Sequence, residues 1–406
     1  MMKQFKLWMF AAILTICGAA AFTSCADEDN PYIEEEIPIT HARVDSVYHI
    51  DEANLTVYIM EYPSIDPFGR PAMLSGTITI GDEVTADAPA TGLLLYNHFT
   101  VYRADECPSR GELKVQKLIP GSGLITISAD YYGFGITEDK QQAYCISNIN
   151  AQASIDALLA AKELLPTLGY SWNDDILFNV GYSQGGHTAM GVVRMLTEKY
   201  PEIRITHTFA GGGSYDIPET YRQFLQTENT GMPSTVISVL LAYNTYFKLD
   251  IPRSDIFIEP LLSNIDEWVL SKKYTREEID ELLGTNVIAQ FVTPEMLDLE
   301  SDVSKRFLEA MDRDNLCAGW HPRKDERISL VHHMKDITVP AANTANLYAF
   351  LKEQGVENVT LQMGDFGSLI GLPAHESGAV VFAILAVGEV CRTLGINVWF
   401  NIFDLF

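Results

Sequence analysis

The chain has 406 residues, of which 47% are hydrophobic and 20% charged, a composition that folds around a core and excludes a largely disordered polymer. Acidic residues outnumber basic ones, 54 Asp and Glu against 28 Lys and Arg, giving a net charge of −26. Such a surface repels phosphate backbones, which argues against a nucleic-acid partner, and it favours solubility.

Residues 1–24 read as an export signal outside the fold. Lys3 and Lys6 precede an apolar run over residues 7–22 that is too short and too soon interrupted for a comfortable membrane span. The run ends Phe22-Thr23-Ser24-Cys25, which resembles a bacterial lipobox, with Phe22 where Leu is usual. That resemblance implies lipidation of Cys25; a plain signal peptide cut near Ala20 or Ala21 is the alternative. Loss of residues 1–24 removes Lys3 and Lys6 and no acid, so −26 becomes −28. Residues 25–42 then form an acidic linker containing Asp27, Glu28, Asp29 and Glu34, Glu35, Glu36. They serve either as a solvated spacer kept extended by like charges or as an address similar to that of surface-exported lipoproteins. The expected location is the envelope of a Gram-negative bacterium, tethered to the outer membrane by lipid. No other run of 18 apolar residues is read in the sequence, so the mature body is expected to be soluble. Cys107, Cys145, Cys317 and Cys391 remain. They allow three pairings and fit no zinc spacing, and bridges and buried thiols stay equally open.

Beyond the linker, apolar strands recur. Residues 71–80 alternate and are β-branched near their end, and the turn Asp66-Pro67-Phe68-Gly69 before them predicts a hairpin. Residues 91–96 and 124–128 are continuous apolar runs expected to be buried strands. Residues 151–165 follow the helical period. Residues 176–180 predict a strand, 184–200 a helix and 205–210 another strand. From 213 to 327 the alternation gives way to helical, aromatic-rich sequence. One helix there is marked by the capping box Thr275-x-x-Glu278 and by Gly284 after its end. Strand and helix resume at 328–332, 341–354, 359–362 and 376–391. The pattern predicts an α/β fold: a mostly parallel sheet flanked by helices, built from residues 43–212 and 328–406. An insertion at 213–327 would fall at the carboxyl edge of the sheet, where ligands bind, as a helical cap or lid. A structural domain far from the chemistry is the other reading.

The chemistry centres on Gly181-Tyr182-Ser183-Gln184-Gly185-Gly186. The G-x-S-x-G pattern alone is weak, but here it follows an apolar strand and opens a helix. That context puts Ser183 on a sharp turn at a helix N-terminus, where amides and the helix dipole favour developing negative charge. A serine hydroxyl needs a base. In the order serine, acid, histidine, the candidate is His375, the only His after residue 333. Asp336, a few residues past a buried strand, is the expected acid, with Asp365 its rival. His332 and His333 read as structural residues at a strand end. The amide of Gln184 and one from Asn97-His98-Phe99-Thr100 would complete an oxyanion hole, with Thr100 preferred over Phe99 and His98 bracing the loop.

Taken in order, NHFT (97–100), ADYYGFG (129–135), GYSQGG (181–186), AGGGSYDIP (210–218), LVHHMKDITVP (330–340) and the late His375 resemble the secreted lipases and esterases of the α/β-hydrolase superfamily, above all the secretory lipase type with its helical cap. The likeness spans about residues 55–394. Phe99 departs from it, standing where such enzymes usually carry Gly. The resemblance implies hydrolysis of a small-molecule or lipid ester through an acyl-enzyme on Ser183, with no metal or organic cofactor. A serine peptidase of the same fold and an inactive surface-binding lipoprotein are the alternatives.

Overall fold

The computed structural model describes residues 41–111, 122–227, 229–367 and 371–396. The expected signal segment, Cys25 and all but the last two residues of the acidic linker lie outside the described residues.

Among the described residues, a nine-stranded sheet runs in the order β1-β2-β3-β5-β4-β6-β7-β8-β9. Its first three strands are β1 (Arg43–Ile50), β2 (Leu55–Ile65) and β3 (Pro71–Gly81), an antiparallel meander. The β2–β3 hairpin turns where expected: Asp66 Oδ1 accepts from the amides of Phe68 and Arg70, each over 2.9 Å. β1 is not marked in the sequence, because most of its residues are exposed and leave no apolar stripe.

The remaining strands are β4 (Gly92–Asn97), β5 (Leu124–Ala129), β6 (Leu177–Tyr182), β7 (His207–Gly211), β8 (Arg327–His333) and β9 (Asn358–Gly364). They pair in parallel, while β3 pairs with β5 antiparallel. Residues of β4, β5 and β6 are buried throughout. Strands covered on both faces have no polar side to alternate with, which is why they read as unbroken apolar runs. The helices α1 (Ser147–Thr167), α2 (Gln184–Lys199), α7 (Ala342–Glu353) and α8 (Ala374–Leu394) pack on the sheet. Helix α8 is long and apolar enough to cross a membrane, a feature missed in the sequence, where Glu376 and Glu389 break the run. One of its faces rests on β6, β7 and β8.

Between β7 and β8 the chain is helical: α3 (Ile217–Gln226), α4 (Pro233–Tyr246), α5 (Arg276–Leu283) and α6 (Asp302–Asp314), with shorter turns between them. The Thr275 capping box and the left-handed Gly284 bound α5. These helices share an apolar cluster that reaches down to Tyr102 and Tyr144–Ile146. A buried carboxylate fastens them below: Asp314 accepts from the Ser147 amide at 2.8 Å, the Ser147 hydroxyl at 2.6 Å and Tyr243 OH at 3.0 Å. Among the described residues, Cys107, Cys145, Cys317 and Cys391 are free thiols.

Candidate active site

β6 ends at Tyr182, α2 begins at Gln184, and Ser183 between them has φ 58° and ψ −122°. A non-glycine residue in that region is strained, and such strain is held only where packing enforces it. Packing does so here by removing side chains. A Cβ on Gly181 would drive into the carbonyl of Gly185, and one on Gly185 into the carbonyl of Asn97. The strand, the turn and the helix therefore meet at backbone distance, leaving the serine hydroxyl at the N-terminus of α2.

His375 lies in the first turn of α8, preceded by Pro373. Its Nε2 is 2.9 Å from Ser183 Oγ, and its Nδ1 is 2.6 Å from Asp336 Oδ2. The structure thus brings together three side chains from the ends of β6 and β8 and the start of α8. Asp336 is held from its other side as well: Oδ1 accepts from the amides of Thr338 at 2.8 Å and Val339 at 2.9 Å. Burial would raise the Asp336 carboxyl, but the facing His375 and the ring N–H groups of His332 and His375 outweigh it and hold it well below the usual carboxylate range. Burial would likewise lower the His375 imidazole, but Asp336 opposes this, with Glu376 adding to it, and the imidazole lies above its ordinary 6.5. Asp365 sits elsewhere, paired with Lys335 at 2.6 Å.

His332 is more than a strand-end residue. It is fully buried, with Nε2 2.9 Å from the carbonyl of Val339 and 3.3 Å from Asp336 Oδ2, and Nδ1 2.5 Å from Thr344 Oγ1. A carbonyl and a carboxylate can only accept, so the proton belongs on Nε2, and Nδ1 accepts from Thr344. Two imidazoles therefore converge on one carboxylate. His333 remains a local brace, its Nδ1 accepting from the Lys335 amide at 3.0 Å.

The loop after β4 closes against the start of α2. Asn97 is tied into the sheet, donating to Asn179 Oδ1 at 2.8 Å and accepting from Ser154 at 2.9 Å. His98 is buried and stacked on Tyr131, with its ring nitrogens 2.7 Å and 3.3 Å from the carbonyls of Phe99 and Asp130. It braces the loop and does not reach Ser183. Phe99 and Thr100 line the same cavity as Ser183 and His375, and Thr100 Oγ1 is 2.8 Å from Tyr144 OH. Gln184, with Thr100 the expected source of amide donors, is the first residue of α2 and is buried.

Among the described residues, Ser183 lines two cavities. One, about 60 Å³, lies under α3, α4 and α6; the other, about 460 Å³, runs between β4, β6 and α8.

Solved structures with this architecture are known. A Legionella pneumophila protein named provisionally as a hydrolase superposes with a TM-score of 0.73 at 22% identity, covering 88% of this chain and 92% of its own. The rice cell wall degrading esterase LipA from Xanthomonas oryzae, in a ligand-bound form, gives 0.70 at 20% identity, covering 86% and 96%. The chain has the α/β-hydrolase fold. Candida antarctica lipase A gives 0.61 at 15% identity, covering 80% of this chain and 75% of its own. No family model matches the chain, and no curated protein matches it in sequence. At such identities the likeness carries the fold, and the chemistry rests on the site.

Proposed function

We propose that this protein is a serine carboxylester hydrolase. The observation that carries the proposal is the unbroken line of hydrogen bonds from Ser183 Oγ through the His375 ring to Asp336. The Ser183 hydroxyl gives its proton to His375 Nε2 as Oγ bonds to the ester carbonyl carbon, and the carbonyl pair moves to oxygen. Asp336 keeps Nδ1 protonated and stabilises the imidazolium. Amides of Gln184 and Thr100 receive the oxyanion. Collapse breaks the bond to the alcohol oxygen, which takes the proton from Nε2. Water then enters by the same route and releases the acid.

Two structural neighbours, an esterase and a lipase by name, support an ester over an amide. The predominantly apolar lining of both cavities supports the same choice. The proposal keeps the envelope location read from the sequence, with the mature chain tethered through Cys25. Ser183→Ala should lower turnover of an activated ester by about six orders of magnitude, the usual cost of removing such a nucleophile. Ester cleavage undiminished in that variant would end the proposal.

A further inference from the structure

The two cavities at Ser183 are unequal, and His375 lines only the larger. This asymmetry orients a substrate. In the tetrahedral intermediate the carbonyl carbon carries Oγ, the oxyanion, the alcohol oxygen and the acyl chain. His375 Nε2 must reach the alcohol oxygen to return the proton. The alcohol therefore lies on the imidazole's side, in the larger chamber, and the acyl chain is left the smaller one.

The smaller chamber is walled by side chains that cannot readily withdraw. Ile217, Tyr221, Val236, Leu240 and Met311 line it and belong to one packed cluster. Tyr221 is pinned by its hydroxyl, 2.7 Å from the carbonyl of Met296 and 2.9 Å from Ser304 Oγ. At about 60 Å³ the chamber is well below the ~150 Å³ at which a dry protein cavity accepts a benzene ring, so it suits an acyl group of roughly two to four carbons. The larger chamber has an apolar floor from Tyr96 and Val180, with the charged Glu106, Arg276, Glu277 and Glu376 also on its lining. Its wall is formed by Ala379, Ala383 and Val387, four residues apart along α8, whose mostly small side chains leave the space open.

Resting on the serine-hydrolase reading, we infer that the substrate is an ester of a short acyl group with a bulky apolar alcohol, the acyl group under the helical cap and the alcohol against α8.

Two ester series on the purified full chain test this. One holds the alcohol constant and lengthens the acyl group from acetyl to octanoyl. The other holds acetate constant and enlarges the alcohol from ethyl to benzyl to naphthylmethyl, alcohols of similar acidity, with release followed by pH-stat. A fluorophosphonate titration counts reactive serines in every sample. The expected kcat/KM falls at least tenfold from butyryl to octanoyl, since each methylene refused by a closed apolar wall costs about tenfold or more. It rises at least tenfold from ethyl to naphthylmethyl. Leu240→Ala raises the octanoyl-to-acetyl ratio about tenfold, and the milder Val239→Ala, in the same wall, moves it the same way if Leu240→Ala folds poorly. Ala383→Trp lowers the naphthylmethyl-to-ethyl ratio about tenfold. A rate that climbs with acyl length, variants that exchange these effects, or variants that leave both ratios at wild-type values would overturn the inference while phosphonate labelling keeps the hydrolase reading. A chain that neither labels nor cleaves any ester would overturn both.

Discussion

The hydroxyl of Tyr182 donates to the backbone carbonyl of His375 over 2.7 Å, so the residue before the serine fixes the residue that carries the imidazole. The ring of Tyr182 also lies 5.2 Å from that of His375 and 5.4 Å from that of Phe382, centroid to centroid. Burial, followed by the nearby Asp336 charge, pushes the phenol far above its ordinary 10.0, so the hydroxyl remains a donor throughout the working pH range. Tyr182→Phe should cost about 1 kcal/mol of stability for the lost hydrogen bond. It should lower kcat about tenfold with little change in KM, because a small misplacement of a catalytic group is felt in the chemical step. Urea unfolding alongside steady-state kinetics on an acetate ester checks both.

The pH dependence follows from the two charged partners. As a base, His375 must be neutral, and its pKa lies above 6.5. Activity should therefore rise through a limb above pH 6.5 and reach a plateau on the alkaline side. Stability runs oppositely: the raised His375 pKa contributes stability that is full below 6.5 and is lost as pH climbs through the folded value. Asp336, depressed below 3.8, contributes stability present above 3.8 and lost as pH falls toward its folded value. Rate profiles measured beside unfolding at each pH would show the two curves diverging above 6.5.

His332 should report on Asp336. His332→Phe keeps much of the volume but removes one N–H from the carboxylate. Asp336 then attracts the His375 imidazolium more strongly, and the acid limb of kcat/KM should move up by about half a pH unit. A packing defect alone would lower the rate equally at every pH. His332→Gln, which can still donate, should move the limb less.

His187, one turn along α2 from Ser183, should govern acid stability. It is buried with Nε2 3.8 Å from Asp314 Oδ2, and burial lowers its pKa to about 4 despite that carboxylate. A folded pKa below the unfolded 6.5 means that stability is lost as pH falls from 6.5 toward 4. The loss should be roughly 3 kcal/mol. His187→Gln should show a flatter profile over that window by urea denaturation at pH 7 and pH 4.5.

Much of this was legible in the sequence because backbone chemistry forced it. Gly181 and Gly185 are required where strand, loop and helix meet, and that requirement is what makes Ser183 conspicuous. The central strands β4 and β5 were readable as apolar runs, since both of their faces are buried. What could not be read depends on convergence. Tyr182 looked like the variable position of a motif, and only the placement of α8 gives its hydroxyl a carbonyl to hold. His332 looked like a strand-end residue, because its distance from Asp336 is set by the tight turn Asp336 makes with Thr338 and Val339. The paired His-His at the end of an apolar strand, four residues before the acid, was the signal that could have raised it. The preference for Asp336 over Asp365 rests on its place a few residues past a buried strand; Asp336 is the one that faces His375, while Asp365 pairs with Lys335.

The most direct measurement of the central claim is mass-spectrometric mapping of the chain after reaction with a fluorophosphonate. The expected result is one phosphonate per chain on the peptide carrying Ser183, with labelling at least a thousandfold slower in His375→Ala, since the hydroxyl is inert without its base. Labelling that leaves Ser183 unmodified, or that proceeds unchanged without the imidazole, would contradict it.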